Sequence, residues 1–470
     1  MSKIAARNQA AQFATCCLAL SLSYAVVLSL SEGVYAAMGA SSEVRALTSV
    51  VSTGALVVLA MASTWRPSWL GPRTATFGCA GLLALGAVGV LVGFFGGGTL
   101  PGTVGLTFLF MAGSFSILLV KAGCVSMKPQ AILGCVFASF LLGHVWSYAF
   151  SFLGPLATLV ACIAITAFVL AASHPYYRPL LERIKATDAP GVLAATRPRA
   201  FLPFGHQVFI YLALFNFAHG YLLSFSSTGA TTSNSLFTVA TILVVGIVLV
   251  VRKGRMFPDA LFAVSVLLVT GGILLAPIAE VDGDFAALFL AAGVACFNLL
   301  YLYALLVISS KNKINTIPVL AWGASIESFF MLAGGMAGQG ILQAFAADHT
   351  AVSVLSVMVV LVILGCILFT IRSFSFDRTI ADIEPDSSLS LASHSEAWER
   401  RCAEIAAQAG LTQREQEVFV LLARGRNSPY IQKELVITNN TVKAHVKHIY
   451  QKLGVNSHQQ LIDLVDARTT

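Results

Sequence analysis

Residues 439–455 read NNTVKAHVKHIYQKLGV, and their spacing decides how the C-terminal part of this chain folds. On a wheel of 100° per residue, one narrow arc holds four apolar side chains, Val442, Val446, Ile449 and Leu453. The opposite arc holds Ala444, Lys447, His448 and Gln451, and Lys443 lies on its flank. This arc is basic and has the small residue Ala444 at its centre. Asn440 or Thr441 is expected to cap the helix. The stretch therefore predicts an amphipathic helix with one packed face and one exposed basic face.

Three shorter helices are predicted around this one. In GLTQREQEVFVLLARG (410–425), Thr412 and Glu415 have capping-box spacing, and Gly425 is expected to end the helix. In NSPYIQKELVI (427–437), Ser428 followed by Pro429 is a helix start signal. The last helix is SHQQLIDLVDA (457–467). Their inward faces are predicted to hold Val418, Leu421, Leu422, Ile431, Leu435, Leu461, Leu464 and Val465.

The segments LTQREQEVFVLLARG, TVKAHVKHIYQKLGV and QLIDLV, at these spacings, resemble the LuxR/NarL-type helix-turn-helix domain along its full length. The resemblance implies that the third helix lies in the major groove of double-stranded DNA and that the fourth pairs two copies as a homodimer. It further implies that Lys443, Ala444 and Lys447 face the bases, while Thr441 faces the backbone. His448 and Gln451 complete the exposed DNA-binding face. His445 is expected to pack inward or to contact a phosphate.

Three positions depart from the pattern of that family. Tyr430 and Gln432 stand where Glu and Ala are usual, and His458 stands where Arg is usual. These changes leave the fold intact, but they bear on the phosphate contacts and on the target site.

A linker is predicted before this domain. The Ser-rich, acidic residues 373–394 cannot bury a core. A leading helix is expected next, because Ser393 and Glu396 have capping-box spacing. Its apolar stripe, Trp398, Cys402, Ile405 and Ala409, could dock on the domain that follows, so the DNA-binding domain is placed at 395–470. Cys402 is also a candidate redox-sensitive thiol.

The rest of the chain has the composition of an integral membrane protein. Of all residues, 57% are hydrophobic and only 11% are charged. Twelve apolar runs long enough to cross a bilayer begin near positions 13, 45, 76, 104, 130, 154, 207, 234, 257, 285, 316 and 351. The predicted fold is therefore all-α: a twelve-span bundle at 1–372, in halves at about 10–175 and 205–372, then a cytoplasmic four-helix domain. The first run could alternatively be a signal peptide.

Charge placement predicts the orientation, because cytoplasmic loops carry an excess of lysine and arginine. With the N-terminus inside, the inner segments hold sixteen such residues, Lys121 among them, and the outer loops hold only Arg45. An even number of spans returns the C-terminus to the cytoplasm. The predicted location is the cytoplasmic membrane of a prokaryote.

The six-plus-six plan resembles the major facilitator superfamily over residues 10–372, whose two halves are parallel repeats. The loops WRPSWLGPR (65–73) and RKGRMFPD (252–259) are both basic with a glycine, as the loop motif of that family is. The first and seventh spans also align, which superposes Gly33 on Gly220 and Glu32 on His219.

Ionisable residues inside the spans are candidates for a ligand site, because they are costly in a bilayer. They are Glu32, His144, His219 and Glu327, with Asn216 and Asn298 as polar neighbours. All four lie on odd-numbered spans and could line one cavity open to the outside. The alternative is that they join neighbouring helices.

These features predict a membrane-bound transcription regulator whose bundle senses a small molecule. Two alternatives remain open, a secondary transporter with an autoregulatory DNA-binding tail and a passive membrane anchor. No catalytic residues, cofactor or metal site are predicted, and the span cysteines are expected to be small packing residues without ligand spacing.

Overall fold

The computed structural model describes residues 2–30, 42–65, 69–96, 99–186, 207–224, 231–251, 258–275, 283–311, 313, 315–345, 349–371, 401–423, 428–435 and 438–466. The chain divides into two compact units, Met1–Pro385 and Asp386–Thr470. Within the described residues there is helix and no strand, which confirms the all-α prediction. The predicted linker at 373–394 and the cap at Ser393 lie outside these residues.

Twelve helices form the described part of the first unit. The first six are α1 (Ser2–Ser29), α2 (Ser42–Trp65), α3 (Pro72–Gly96), α4 (Thr99–Cys124), α5 (Pro129–Phe150) and α6 (Pro155–Ala186). The other six are α7 (Gln207–Leu223), α8 (Thr231–Val251), α9 (Pro258–Leu275), α10 (Gly283–Lys311), α11 (Thr316–Ala344) and α12 (His349–Ile371).

Seven of these described helices are long and apolar enough to cross a membrane: α1, α3, α4, α5, α6, α10 and α11. The apolar parts of the other five are shorter. The first unit is thus a multi-pass membrane domain, and the full count of twelve crossings stays a prediction. Large apolar side chains such as Phe77, Val88 and Leu267 are exposed on its outer surface, as expected of a surface that faces lipid rather than water.

The helix pairs of this unit repeat after six helices. The α1–α5 pair recurs as α7–α11, the α3–α4 pair as α9–α10, and the α2–α4 pair as α8–α10. The contacts between the halves obey the same rule, because α2 packs against α11 as α8 packs against α5. The packing therefore supports two related halves joined by a symmetric interface.

The polar stretch between the halves begins inside a helix. Helix α6 continues through Pro175 and Pro179 to Ala186, beyond the expected end of the first half near residue 175. The extra turns are held by packing, since Tyr177, Leu181 and Ile184 are buried. The Tyr177 hydroxyl also lies 2.9 Å from the hydroxyl of Thr76 on α3.

Glycines set the closest approach between helices in this unit. Gly220 of α7 faces the Met331 carbonyl of α11, and Gly334 faces the Phe217 carbonyl in return. A Cβ at Gly338 would lie 2.7 Å from the Tyr221 carbonyl oxygen. Small residues are the usual means of close packing between membrane helices, where burial from water supplies no drive.

The span cysteines are mostly core residues, as predicted. Seven are buried, and Cys366 is exposed. Four of them, Cys16, Cys17, Cys124 and Cys135, belong to one buried core, and the Cys135 thiol lies 3.9 Å from the Ser139 hydroxyl. Among the described residues, no group of three or more His, Cys, Asp or Glu side chains has the geometry to hold a metal ion.

The second unit contains four helices after a helical segment at 401–408. They are α13 (Gln413–Ala423), α14 (Ser428–Leu435), α15 (Asn439–Leu453) and α16 (His458–Asp466). Their shared core includes Val418, Phe419, Ile431, Val442 and Ile449, all inaccessible to solvent. Cys402 and Ile405 belong to the same core and Ala409 packs against it, so these three residues of the leading stripe dock here as predicted. Trp398 lies outside the described residues. The Cys402 thiol is therefore buried, which argues against the redox-sensitive role suggested for it.

The glycine contacts predict a position-dependent cost of adding one methyl group to α11. Gly334→Ala is expected to lower the free energy of unfolding of the full chain by about 1 to 3 kcal/mol, because the new Cβ collides with the Phe217 carbonyl. Gly340→Ala is the matched control, since that position on the same helix has no atom within 4 Å. Thermal unfolding in detergent micelles measures both. Equal melting temperatures for the two variants would contradict the prediction.

Candidate functional sites

Helix α15 begins two or three residues earlier than its sequence suggests. Thr438 is the N-cap, and its hydroxyl accepts a hydrogen bond from the Thr441 backbone N–H at 3.3 Å. The two threonine hydroxyls also lie 2.8 Å apart. The prediction that Asn440 or Thr441 caps the helix is therefore wrong, because the extended backbone that a cap needs occurs at Thr438. Gly454 ends the helix in the left-handed conformation, φ 67°.

The two faces of α15 have the predicted burial. Val442 and Ile449 are fully buried, and Val446 and Leu453 pack against the same core. On the other side, five predicted DNA-binding residues are exposed: Lys443, Ala444, Lys447, His448 and Gln451. Thr441, in the first turn, is half-buried, as is His445.

An open groove runs along this exposed face. Lys443, Lys447 and Gln451 line one side of it, one helical turn apart. Ser428, at the start of α14, and Asn456, beyond the end of α15, lie at its margins. His448 lies elsewhere, with its Nδ1 3.8 Å from the Glu415 carboxylate. The structure thus brings the two lysines and Gln451 together, and it places His448 beside the first turn of α13.

The orientation of α15 depends on one buried carboxylate. Glu415 of α13 accepts a hydrogen bond from the Thr412 backbone N–H at 2.8 Å, which completes the predicted capping box. The same oxygen lies 2.6 Å from the Lys452 ammonium in the last turn of α15. Lys452 also donates to the Gly410 carbonyl at 3.0 Å. Hydrogen bonding from Lys452 and Thr412 lowers the pKa of Glu415 to about 2, so the pair is ionised at neutral pH.

Two further hydrogen bonds fix the neighbouring helices. Arg414 of α13 donates to the Leu435 carbonyl at 2.8 Å, which satisfies a backbone acceptor at the end of α14. The His458 ring, where the family usually has Arg, donates to the Leu422 carbonyl at 2.7 Å and joins α16 to the end of α13. At the other departures from the family pattern, Tyr430 is exposed and Gln432 is half-buried.

The candidate ligand residues of the membrane unit lie on several helices. Glu32 lies outside the described residues. His144 on α5, His219 on α7 and Glu327 on α11 are each half-buried. Asn216, one turn before His219, is buried, and its side chain donates to the Leu212 carbonyl at 2.9 Å. Among the described residues, the charged group that interacts with Glu327 is neither histidine but Lys121 of α4.

Sequence reasoning assigned Lys121 to an inner loop, and the structure corrects this. Lys121 lies in the last turn of α4, and its ammonium lies 5.9 Å from the centre of the Tyr24 ring on α1. The apolar residues on both sides of it, in SILLVKAGCV, are the signal that could have placed it inside the bundle. Orientation still rests on the remaining basic residues of the inner segments.

The second unit has the arrangement of a helix-turn-helix DNA-binding domain, with α15 as the exposed basic helix. Residues 409–465 match the family described as bacterial regulatory proteins, luxR family. The spore germination protein GerE of Bacillus subtilis is 42% identical over 52 residues, which are 11% of this chain and 70% of GerE. The chain belongs to the luxR family through this unit. The transcriptional activator protein ExaE of Pseudomonas putida is 44% identical over 55 residues, 12% of this chain and about a quarter (26%) of ExaE.

The membrane unit resembles solved transporter structures in fold. A bacterial homologue of the iron transporter ferroportin, in an outward-facing state, aligns with TM-score 0.50 and 12% identity over 75% of this chain and 98% of that chain. The major facilitator superfamily transporter FucP, outward-facing, aligns with TM-score 0.49 and 12% identity over 77% of this chain and 99% of that chain. The chain therefore joins a multi-pass helical bundle, with the fold of that ferroportin homologue, to a luxR-family domain.

The groove predicts which substitutions weaken DNA binding. Lys447→Ala is expected to cost about 1 to 3 kcal/mol of specific binding if, as the family resemblance implies, Lys447 donates to base edges. Ala444→Leu should also weaken binding. The family resemblance places Ala444 against the bases, and a larger side chain there would hold the helix away from the floor of the DNA major groove. Ala407→Leu, at an exposed position of the leading helix, is the matched control. Gel-shift titration of the segment 395–470 measures all three, and unchanged affinity of the Lys447 variant would remove that residue from the interface.

The Glu415–Lys452 pair predicts an acid-sensitive domain. Glu415→Gln should lower the free energy of unfolding of the segment 395–470 at pH 7 by about 2 kcal/mol. The pKa of Glu415 is about 2 when folded and about 4.3 for an unfolded glutamate. The stability it contributes is therefore complete above about pH 4.3 and lost as the pH falls toward 2.

Chemical denaturation between pH 2 and 7 measures this dependence. The variant should lose less stability on acidification than the parent does. Glu404→Gln, an exposed position on the leading helix, is the control and should keep the parental profile. Parallel profiles for the parent and Glu415→Gln would show that the ion pair does not contribute as described.

Proposed function

We propose that this protein is a membrane-bound, one-component transcription regulator. Its C-terminal domain binds double-stranded DNA through α15, and its membrane bundle senses a small molecule. The observation that carries the proposal is the joining, in one chain, of a luxR-family domain with a complete basic face to a transporter-like bundle that holds charged side chains in its interior.

Charged groups inside the bundle support sensing over passive anchoring. A charge that only filled space between membrane helices would cost free energy and contribute little. Lys121 and Glu327 both lie within membrane helices. A bundle that served only as an anchor needs neither of them, whereas a bundle that binds a polar molecule does.

The proposal assigns the location and assembly as follows. Both termini lie in the cytoplasm at the inner membrane of a prokaryote, since DNA is on that side and the basic residues favour it. Two copies pair on DNA through α16, the short helix after α15, as the family resemblance implies. Binding of the small molecule changes how two bundles associate or how the DNA-binding domain is presented, and so changes transcription.

A secondary transporter with an autoregulatory DNA-binding tail is the second candidate. The fold similarity to transporters and the repeated packing of the two halves favour it. Fold alone does not determine activity, because the same architecture can bind a molecule without moving it. The two candidates differ in whether the bundle accumulates the molecule that controls transcription.

A promoter experiment tests the regulator function. The segment 395–470 selects its site from random DNA duplexes, and that site is placed before a reporter gene in cells. The full chain is expected to change reporter output, and Lys447→Ala in the full chain should abolish the change. Glu327→Gln should alter the response of the full chain to culture conditions, while the segment alone should act without responding to them.

The matched control is Gly340→Ala in the full chain, which changes an exposed position of the same helix as Glu327. It should leave the response intact. A normal response from Glu327→Gln would favour the anchor hypothesis. A reporter fused after residue 371 that reports the outer side of the membrane would exclude the regulator function altogether.

A further inference from the structure

A lysine of the first half and a glutamate of the second half interact at the junction between the halves. Lys121 lies on α4 and Glu327 on α11, and these two helices pack against each other. Their charges interact electrostatically. Among the described residues, however, no direct ion pair or hydrogen bond joins either side chain to a partner. The two residues therefore bring opposite charges to the same interface between α4 and α11 without a direct contact.

Two tyrosines, one from each half, complete the surroundings. Tyr24 of α1 lies under the Lys121 ammonium, 5.9 Å from nitrogen to ring centre, and its ring is 4.9 Å from that of Phe140. The Tyr301 hydroxyl of α10 lies over Gly323, one turn before Glu327 on α11. Both phenols are within the electrostatic influence of Glu327. The cluster thus draws one polar group from each of α1, α4, α10 and α11.

This arrangement is poorly suited to a purely structural ion pair. Charges removed from water cost several kcal/mol each, and attraction offsets that cost only when the geometry is close and the remaining donors are satisfied. Lys121 has three N–H donors and Glu327 has two acceptor oxygens. Both residues keep some solvent-accessible surface. A molecule that carries a negative and a positive group would satisfy both side chains at once.

We propose that a small zwitterion, of the α-amino acid class, binds between the two halves, with its carboxylate on Lys121 and its amino group on Glu327. The inference rests on the proposed sensor function and names the chemical class that is sensed. The apolar and aromatic side chains of Tyr24, Phe140 and Tyr301 surround the rest of the molecule. Because the two charges belong to different halves, occupancy favours the arrangement that keeps α4 beside α11.

Binding to the full chain in lipid nanodiscs tests the site. Each of the common amino acids is added, and the melting temperature is recorded. At least one is expected to raise it. For that amino acid, the amine that lacks the carboxylate and the acid that lacks the amino group should both bind about thirty-fold or more weakly, because each leaves one charge unpaired.

Variants assign each charge to its partner. Lys121→Met should weaken binding of the amino acid until its affinity equals that of the amine. It should leave the affinity of the amine unchanged. Glu327→Gln should weaken binding of the amino acid until its affinity equals that of the acid, and it should leave the affinity of the acid unchanged. The controls are Lys128→Met, an exposed lysine in the turn after α4, and Glu182→Gln, an exposed glutamate on α6. A structural role alone would weaken all three compounds equally.

Two results would overturn the site: no amino acid raises the melting temperature of the parent, or Lys121→Met weakens all three compounds alike. The reporter of the promoter experiment separates this failure from that of the proposed function. Binding without any change in reporter output would leave the site standing and reject the sensor. A reporter response to other compounds, with no amino acid bound, would reject the site and retain the sensor.

Discussion

Inside a bilayer no water is present to pair with the backbone, so each N–H and C=O group must find its partner within the protein. Helices meet this requirement segment by segment, which is why the membrane unit consists of apolar helices such as α3 and α10. The same constraint removes the gain from burying apolar surface, so helices associate through close contact. The glycines between α7 and α11 supply that contact. It also makes each interior charge costly, which is why the proposed function rests on Lys121 and Glu327.

The C-terminal unit folds in water, where burial of apolar surface does stabilise the packing of helices. A small apolar core holds four short helices, and a few polar side chains set the angles between them. Glu415 joins the start of α13 to the end of α15, while Arg414 and His458 join α13 to α14 and α16. These contacts leave Lys443, Lys447 and Gln451 in a row on the outside. The DNA-binding face is thus a consequence of how α13 is connected to its neighbours.

Much of this organisation could be predicted from sequence, because it depends on periodicity. The buried and exposed arcs of α15 follow from a 100° rotation per residue, and Val442 and Ile449 are buried as that rotation requires. The capping box of Thr412 and Glu415 depends on residues three apart, and it forms. The apolar runs also predict helices where helices occur. Sequence reasoning placed the cap of α15 at the wrong residue, because the four neighbouring residues Thr438 to Thr441 are all suited to capping. Only the backbone conformation selects Thr438.

The sequence by itself determined the two kinds of domain, the faces of the DNA-binding helix and the apolar character of the spans, since these properties are local. Only the tertiary structure decided which distant residues meet. It brought Glu327 to the same interface as Lys121, which sequence reasoning had assigned to a loop, and it joined Lys452 to Glu415 in an ion pair. Such contacts join positions far apart in the chain, and no periodic pattern encodes them. They follow from which helices pack together, which depends on shape complementarity over the whole bundle.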